Sequence, residues 1–340
     1  MSAISVRNLR KIYKVHAKPE GLLASVQALI RRRYKQVRAV DGISFDIDSG
    51  EMVGFLGPNG AGKTTTLKIL SGLIYPSEGD VRVLGFVPQK RENAYRRQFA
   101  LLMGQKNQLW WDLPACESFR LHKEIYGIEH DRFERVQDEL TDLLAVKDLV
   151  NQPVRELSLG ERMKMELIAA LLHSPRVLFL DEPTIGLDVV AQAAIRRCLR
   201  EYNRENQVTV LLTSHYMQDI EALCDRVLVI NHGRLVHDGR LADIARRFAG
   251  YKIVTLRFHN GAMPEDFGPV SEVLELDPPK VRLRMPREAV AQEASRWLAE
   301  HQIDDVSVEE PPIEDVISAM FQADYSDDGP AEPAGATTDA

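Results

Sequence analysis

Gly57-Pro58-Asn59-Gly60-Ala61-Gly62-Lys63-Thr64 fits the pattern G-x-x-x-x-G-K-[ST], and it lies between an apolar run at 52–56 and a helical stretch at 62–73. Glycines let the backbone curl so that successive N–H groups face phosphate oxygens, and the helix that follows adds its positive end. Lys63 brings a mobile full charge for the β- and γ-phosphates. The Thr64 hydroxyl suits Mg²⁺, and Thr65 joins the same first helical turn. The stretch predicts a nucleoside-triphosphate site in an α/β fold, without saying which machine it serves.

Working outward, residues 4–9, 40–47 and 52–56 read as short strands, an antiparallel start. Residues 16–38 read as an inserted loop, with a helix-compatible stretch at 22–30 and the basic run Arg31-Arg32-Arg33-Tyr34-Lys35. That run is either a solvated basic face or a contact with acidic headgroups or a partner. After Pro76-Ser77-Glu78-Gly79 a strand is expected at 80–84, and helices dominate 116–150. Runs at 177–180, 208–212 and 227–230 read as strands of a buried parallel sheet.

Beyond residue 250 the texture changes. Strands are expected at 253–258, 270–276, 281–285 and 306–309, with helices at 287–300 and 313–321. This gives a large α/β domain at 1–245, with a helical subdomain at about 106–165, a small α+β domain at 246–323 and a disordered tail at 324–340.

Val177-Leu178-Phe179-Leu180-Asp181-Glu182 is an apolar strand that ends in two carboxylates, where open α/β sheets bind ligands. Asp181 is placed to hold Mg²⁺. Glu182 is the candidate base that orients or deprotonates an attacking water. Leu157-Ser158-Leu159-Gly160-Glu161 precedes a helix, and taken alone Ser158 is first of all a good N-cap.

The 340 residues are 44% hydrophobic and 27% charged, which suits a globular chain with a substantial core. The net charge of −7 speaks against a protein that coats nucleic acid. The cysteines, Cys116, Cys198 and Cys224, are odd in number and lack zinc spacing, so they read as thiols of a reducing compartment. No signal-type leader and no spanning apolar run is visible, so membrane insertion is not expected, and given the acidic balance nucleic-acid binding is not expected either.

Taken together, the motifs resemble the ATP-binding-cassette (ABC) family, in order from Tyr13 to about Gly239. Residues 57–64 resemble its first nucleotide motif, 177–182 its second and 157–161 the signature that names the family. Thr184-Ile185-Gly186-Leu187-Asp188 resembles the dimer-contact loop, and His215 the switch histidine. The resemblance implies a P-loop ATPase with a mixed core sheet, an antiparallel β subdomain and a helical subdomain. It also implies ATP and Mg²⁺, and a head-to-tail dimer with itself or a paralogous cassette.

In that dimer Tyr13 would stack on adenine, Gln105 would sense Mg²⁺, and His215 would touch the γ-phosphate held by Lys63. Ser158 and Gly160 of one copy would close over the nucleotide of the other, with Asp188 nearby. The chain departs from the family pattern in carrying Leu159 and Glu161 where Gly and Gln are usual.

The implied job is to energise a membrane transporter, of the drug, polysaccharide or natamycin-like exporter type, from the cytoplasmic face. Integral permease subunits would be the partners. A soluble ABC ATPase on a ribosome or nucleic acid, or an importer motor, are the alternatives. Trp110-Trp111-Asp112-Leu113-Pro114 lies where the family accepts its membrane partner, although one of the tryptophans also suits a core. The α+β addition reads as a piece for dimerisation or regulation.

Overall fold

Period-two alternation shapes the start of the chain. β1 (Ser2–His16) buries Ile4 and Val6, and its antiparallel partner β2 (Tyr34–Asp48) buries Ile43, Phe45 and Ile47. Their register runs from Ser2 opposite Asp48 to His16 opposite Tyr34. The insertion expected at 16–38 is therefore narrower, because His16 and residues 34–38 extend the hydrogen-bonded pair. The computed structural model describes residues 2–16, 34–104, 106–214, 216–261, 263–264 and 266–323. The helix expected at 22–30, the basic residues 31–33 and the tail at 324–340 lie outside them.

β3 (Met52–Leu56) is buried at every position and leads through the glycine-rich loop into α1 (Lys63–Leu70). The chain returns as β4 (Glu78–Val83), which completes a three-stranded antiparallel sheet in the order β2-β1-β4. In the single turn α2 (Asn93–Arg96), Tyr95 is buried, stacks on Phe99 at 4.6 Å and donates its hydroxyl to the Leu70 carbonyl.

β5 (Phe99–Met103) was not expected from sequence. Phe-Ala-Leu-Leu-Met is as compatible with helix as with strand, and its pairing with a distant strand decides the matter. The helices α3 (Ala115–Tyr126), α4 (His130–Leu143) and α5 (Leu159–Leu171) come next, with α3 and α4 packed on α5. A boundary at residue 165 would cut through α5, whose buried face continues through Leu167, Ile168 and Leu171.

The order β6 (Val177–Asp181), α6 (Val189–Asn206), β7 (Thr209–Thr213), α7 (Met217–Leu223), β8 (Arg226–Asn231) and β9 (Arg234–Arg240) completes this part. Its main sheet has six strands, β5-β6-β7-β3-β8-β9, and every pair from β5 to β8 is parallel. β3, β6 and β7 are buried throughout, which is why their sequences are dominated by apolar residues without alternation. In this register Met103 lies opposite Asp181 and Asp181 opposite Thr213, so the chemistry-bearing residues meet at one carboxyl edge.

The chain divides into two units, Met1–Gly239 and Arg240–Ala340, ahead of the boundary read at 245. The helix α8 (Leu241–Phe248) goes with the second unit because its packing partner is there, α10 (Ile313–Ala323). The second unit also holds β10 (Tyr251–Phe258), β11 (Glu272–Asp277), β12 (Lys280–Pro286), α9 (Val290–Glu300) and β13 (Ile303–Glu309). Its antiparallel sheet, β11-β12-β10-β13, closes a core of Val254, Leu256, Phe258, Leu283 and Met285 around the buried Trp297 of α9. Among the described residues, no helix is long and apolar enough to cross a membrane.

Below α3, His173 stacks on Tyr126 at 3.9 Å and its Nε2 lies 3.1 Å from the Phe99 carbonyl. Burial lowers its pKa from 6.5 to about 4, so the folded chain holds this ring neutral. The stability this contributes is complete above the unfolded value and fades as pH falls from about 6.5 to about 4. Urea denaturation across that window should cost wild type about 2 kcal/mol more than His173→Phe. Equal losses in the two chains would remove His173 as the cause.

Candidate nucleotide site

The phosphate loop owes its shape to two glycines that tolerate no side chain. A Cβ on Gly57 would come within 2.3 Å of the Ile230 carbonyl, and one on Gly62 within 2.3 Å of the Ala39 carbonyl. Gly62 also adopts φ 108, a region that favours glycine, at the N-cap of α1. Pro58 accepts from the Ala61 amide at 3.1 Å, while Asn59 and Gly60 are exposed. No side chain caps α1, so the amides of its first turn, from Lys63 through Thr64 and Thr65, remain available to an anion.

Lys63 is buried, 6% exposed, and its ammonium donates to the Gly57 carbonyl at 2.5 Å and the Pro58 carbonyl at 3.1 Å. Burial pulls its pKa down, while the Glu182 and Asp181 carboxylates hold it up.

Asp181 ends β6 between two hydroxyls. Thr64 donates to its Oδ2 and Thr213 of β7 to its Oδ1, each at 2.8 Å. This joins the phosphate loop to the adjacent strand ends, and it gathers the hard oxygen donors that Mg²⁺ prefers. Glu182 follows at φ 56, a left-handed conformation that costs a non-glycine residue about 1 kcal/mol. Its amide is held by the carbonyl and the hydroxyl of Thr213, at 3.0 and 3.1 Å. Gly104, at the end of β5, donates to the Asp181 carbonyl at 2.8 Å, and a Cβ there would lie 2.1 Å from the Glu182 carbonyl.

Gln105 and His215 lie outside the described residues, but their neighbours do not. Gly104 contacts the acidic pair, and Ser214 belongs to a network that sequence reading missed. Asp219 of α7, 1% exposed, accepts from Ser214 at 2.7 Å, from the Thr184 hydroxyl, and from Arg196 of α6 at 2.8 Å. One buried carboxylate thus fixes the segments on either side of the acidic strand end. The only sequence signal was an acid one turn into a short, half-apolar helix.

Ser158 caps α5, as its residue type predicts. Its hydroxyl accepts from the Glu161 amide at 3.3 Å, and the Glu161 carboxylate accepts from the Ser158 amide at 2.8 Å. Glu161 is therefore turned back onto its own helix, and these bonds lower its pKa. Gly160 packs against α6, where a Cβ would meet Ala191 at 2.8 Å and Asp188 at 3.6 Å. Asp188 caps α6 through the Ala191 amide at 2.8 Å. Ser158, Gly160 and Asp188 thus cluster where the start of α5 meets the start of α6.

Tyr13, on β1, is 36% exposed, with the Lys11 ammonium 5.1 Å from its ring centre. Trp110 and Trp111 are both exposed, 48% and 46%, so neither belongs to the core.

Residues 40–185 match the family described as "ABC transporter". The Linearmycin resistance ATP-binding protein LnrL of Bacillus subtilis (strain 168) is 34% identical over 67% of this chain and 72% of its own length. The chain belongs to the ABC transporter ATP-binding family. The Nod factor export ATP-binding protein I of Rhizobium etli is 30% identical over 76% of the chain and 85% of its own length. A solved structure, the dimeric post-hydrolysis ATP-binding cassette MJ0796 bound to ADP and Pi, shares the fold with a TM-score of 0.58 at 21% identity. It covers 70% of this chain and 98% of its own. Residues 250–309 match the "EvrA-like ABC transporter, C-terminal domain". This ABC subunit is an ATPase.

Gly104→Ala would push Glu182 off its site, and ATP turnover should fall about tenfold or more with the fold intact by circular dichroism. Asp219→Ala strands the Arg196 charge, itself only 15% exposed, and should cost about 3–5 kcal/mol in urea denaturation.

Proposed function

We propose that this ABC ATPase hydrolyses ATP with Mg²⁺ in a head-to-tail pair of cassettes and drives export through separate membrane-spanning subunits. The observation that carries the chemistry is the Asp181 carboxylate held between Thr64 and Thr213, with Glu182 fixed directly after it. Residues 57–62 and the first turn of α1 bind the phosphates through backbone amides, and Lys63 adds its charge to the β- and γ-oxygens. Thr64, Asp181 and Gln105 would hold the metal, and Mg²⁺ when bound would supply positive charge to the phosphate oxygens. Glu182 orients the attacking water and accepts its proton, His215 contacts the γ-phosphate, and Tyr13 stacks on adenine.

The second copy brings Ser158 and Gly160 over the nucleotide, with Asp188 at the contact. The exposed Leu159, Val189 and Val190 beside that cluster, 40%, 76% and 77% accessible, support a face that a partner covers. The exposed Trp110, Trp111 and Leu113 support a docking surface for a membrane subunit, with the chain working at the cytoplasmic face. Export follows the named role of the Nod factor relative. Residues up to Gly239 form the cassette, and residues 240–323 form an accessory α+β domain that assists dimerisation or regulation.

Glu182→Gln should bind ATP and lower turnover about a hundredfold or more, with an ATP-dependent dimer accumulating in light scattering. Undiminished turnover would remove Glu182 as the base. Ser158→Arg should abolish that dimer, and an unaffected one would remove the head-to-tail arrangement. Sedimentation of the chain with ribosomes in place of membranes would overturn the transport reading.

A further inference from the structure

α5 is buried on nearly every side, yet it carries an acid in its interior. Glu166 is 2% exposed, its Oε2 has no partner among the described residues, and burial pushes its pKa up. A carboxyl in such a place is costly unless it satisfies something else. What it satisfies is loop backbone: Oε1 accepts from the amides of Gln108 at 2.8 Å and Leu109 at 3.3 Å. These amides belong to an irregular segment between β5 and α3, which offers them no ladder partner.

One turn earlier on the same helix, the Arg162 guanidinium lies over the Trp111 ring, 5.5 Å from its centre. Just before the helix, Val154 donates to the Leu113 carbonyl and Arg155 to the Trp111 carbonyl, each at 3.0 Å, and Arg155 pairs with Asp112 at 2.9 Å. The tryptophan loop is thus tied along its length to residues 154–166, which comprise the turn before Ser158 and the first half of the helix that Ser158 caps.

We infer that Glu166 is a positioning residue that pins the loop following Gln105 to the signature helix, so that movement of Ser158 over a nucleotide is passed to Trp110, Trp111 and Leu113. Its carboxyl acts through the two loop amides. The pin itself stands on the geometry, and the movement of Ser158 over a nucleotide rests on the head-to-tail reading above. Its consequence for a membrane partner rests on the transport reading above.

The test separates reach from charge in the full chain, using hydrogen exchange with and without ATP and Mg²⁺ in a Glu182→Gln background. Glu166→Gln keeps the reach and an acceptor oxygen, whereas Glu166→Asp keeps the charge one methylene too short. With glutamine at 166, protection of Gln108 and Leu109 and its response to ATP should match those of glutamate. With aspartate, protection of those amides should drop about tenfold and cease to respond to ATP, while ATP still protects residues 57–64.

Aspartate behaving like glutamate, or glutamine losing the protection, would overturn the inference. If the aspartate chain does not fold, the glutamine arm decides alone. Loss at Gln108 and Leu109 in a chain that sediments with ribosomes would leave the pin standing and remove the membrane partner.

Discussion

The carboxylate of Asp181, held between the hydroxyls of Thr64 and Thr213, is the constraint on which the site depends. It ties the start of α1 to the ends of β6 and β7, three segments far apart in sequence. Each hydrogen bond to an ionised acceptor is of the stronger kind, and all the partners stand on buried strands or a packed helix. The left-handed Glu182 is held by that surrounding structure: Thr213 fixes its amide, and Gly104 leaves room for its carbonyl. Replacing either would move a residue that has few other conformations to take.

A second carboxylate organises the outer part of the site. Asp219 gathers Thr184, Ser214 and Arg196, the segments that flank the acidic strand end and lead to residue 215. Glu166 does the same for the loop beyond residue 105. Asp219 accepts from side chains of three segments, whereas Glu166 accepts from loop amides that have no ladder partner. Such groups are tolerated in a core because they are bonded, and losing one partner leaves the other stranded at a high cost.

The departure at Glu161 has a physical explanation. An acidic residue beside a polyphosphate would be repulsive, but its carboxylate is folded back in a capping box with Ser158 and faces the positive end of α5. Ser158 serves as a cap in the single chain, and the same exposed turn is free to meet a second copy. The structural and functional readings of that serine are compatible, since the hydroxyl's bond to Glu161 is a long one, at 3.3 Å.

Local rules were enough for much of this protein. The loop at 57–64, the apolar strands that run into it and into Asp181, the cap at Ser158 and the α+β texture beyond residue 250 were all legible, because glycine dihedrals, strand burial and capping act over a few residues. Pairing between distant strands was not legible: Phe99–Met103 became a strand by lying against β6, and α8 joined the second unit through its packing on α10. The roles of Asp219, Gly104 and Glu166 were equally hidden. An acid or a glycine acquires such a role from what it meets across the core, and that meeting is set by sheet register and helix packing over long sequence separations.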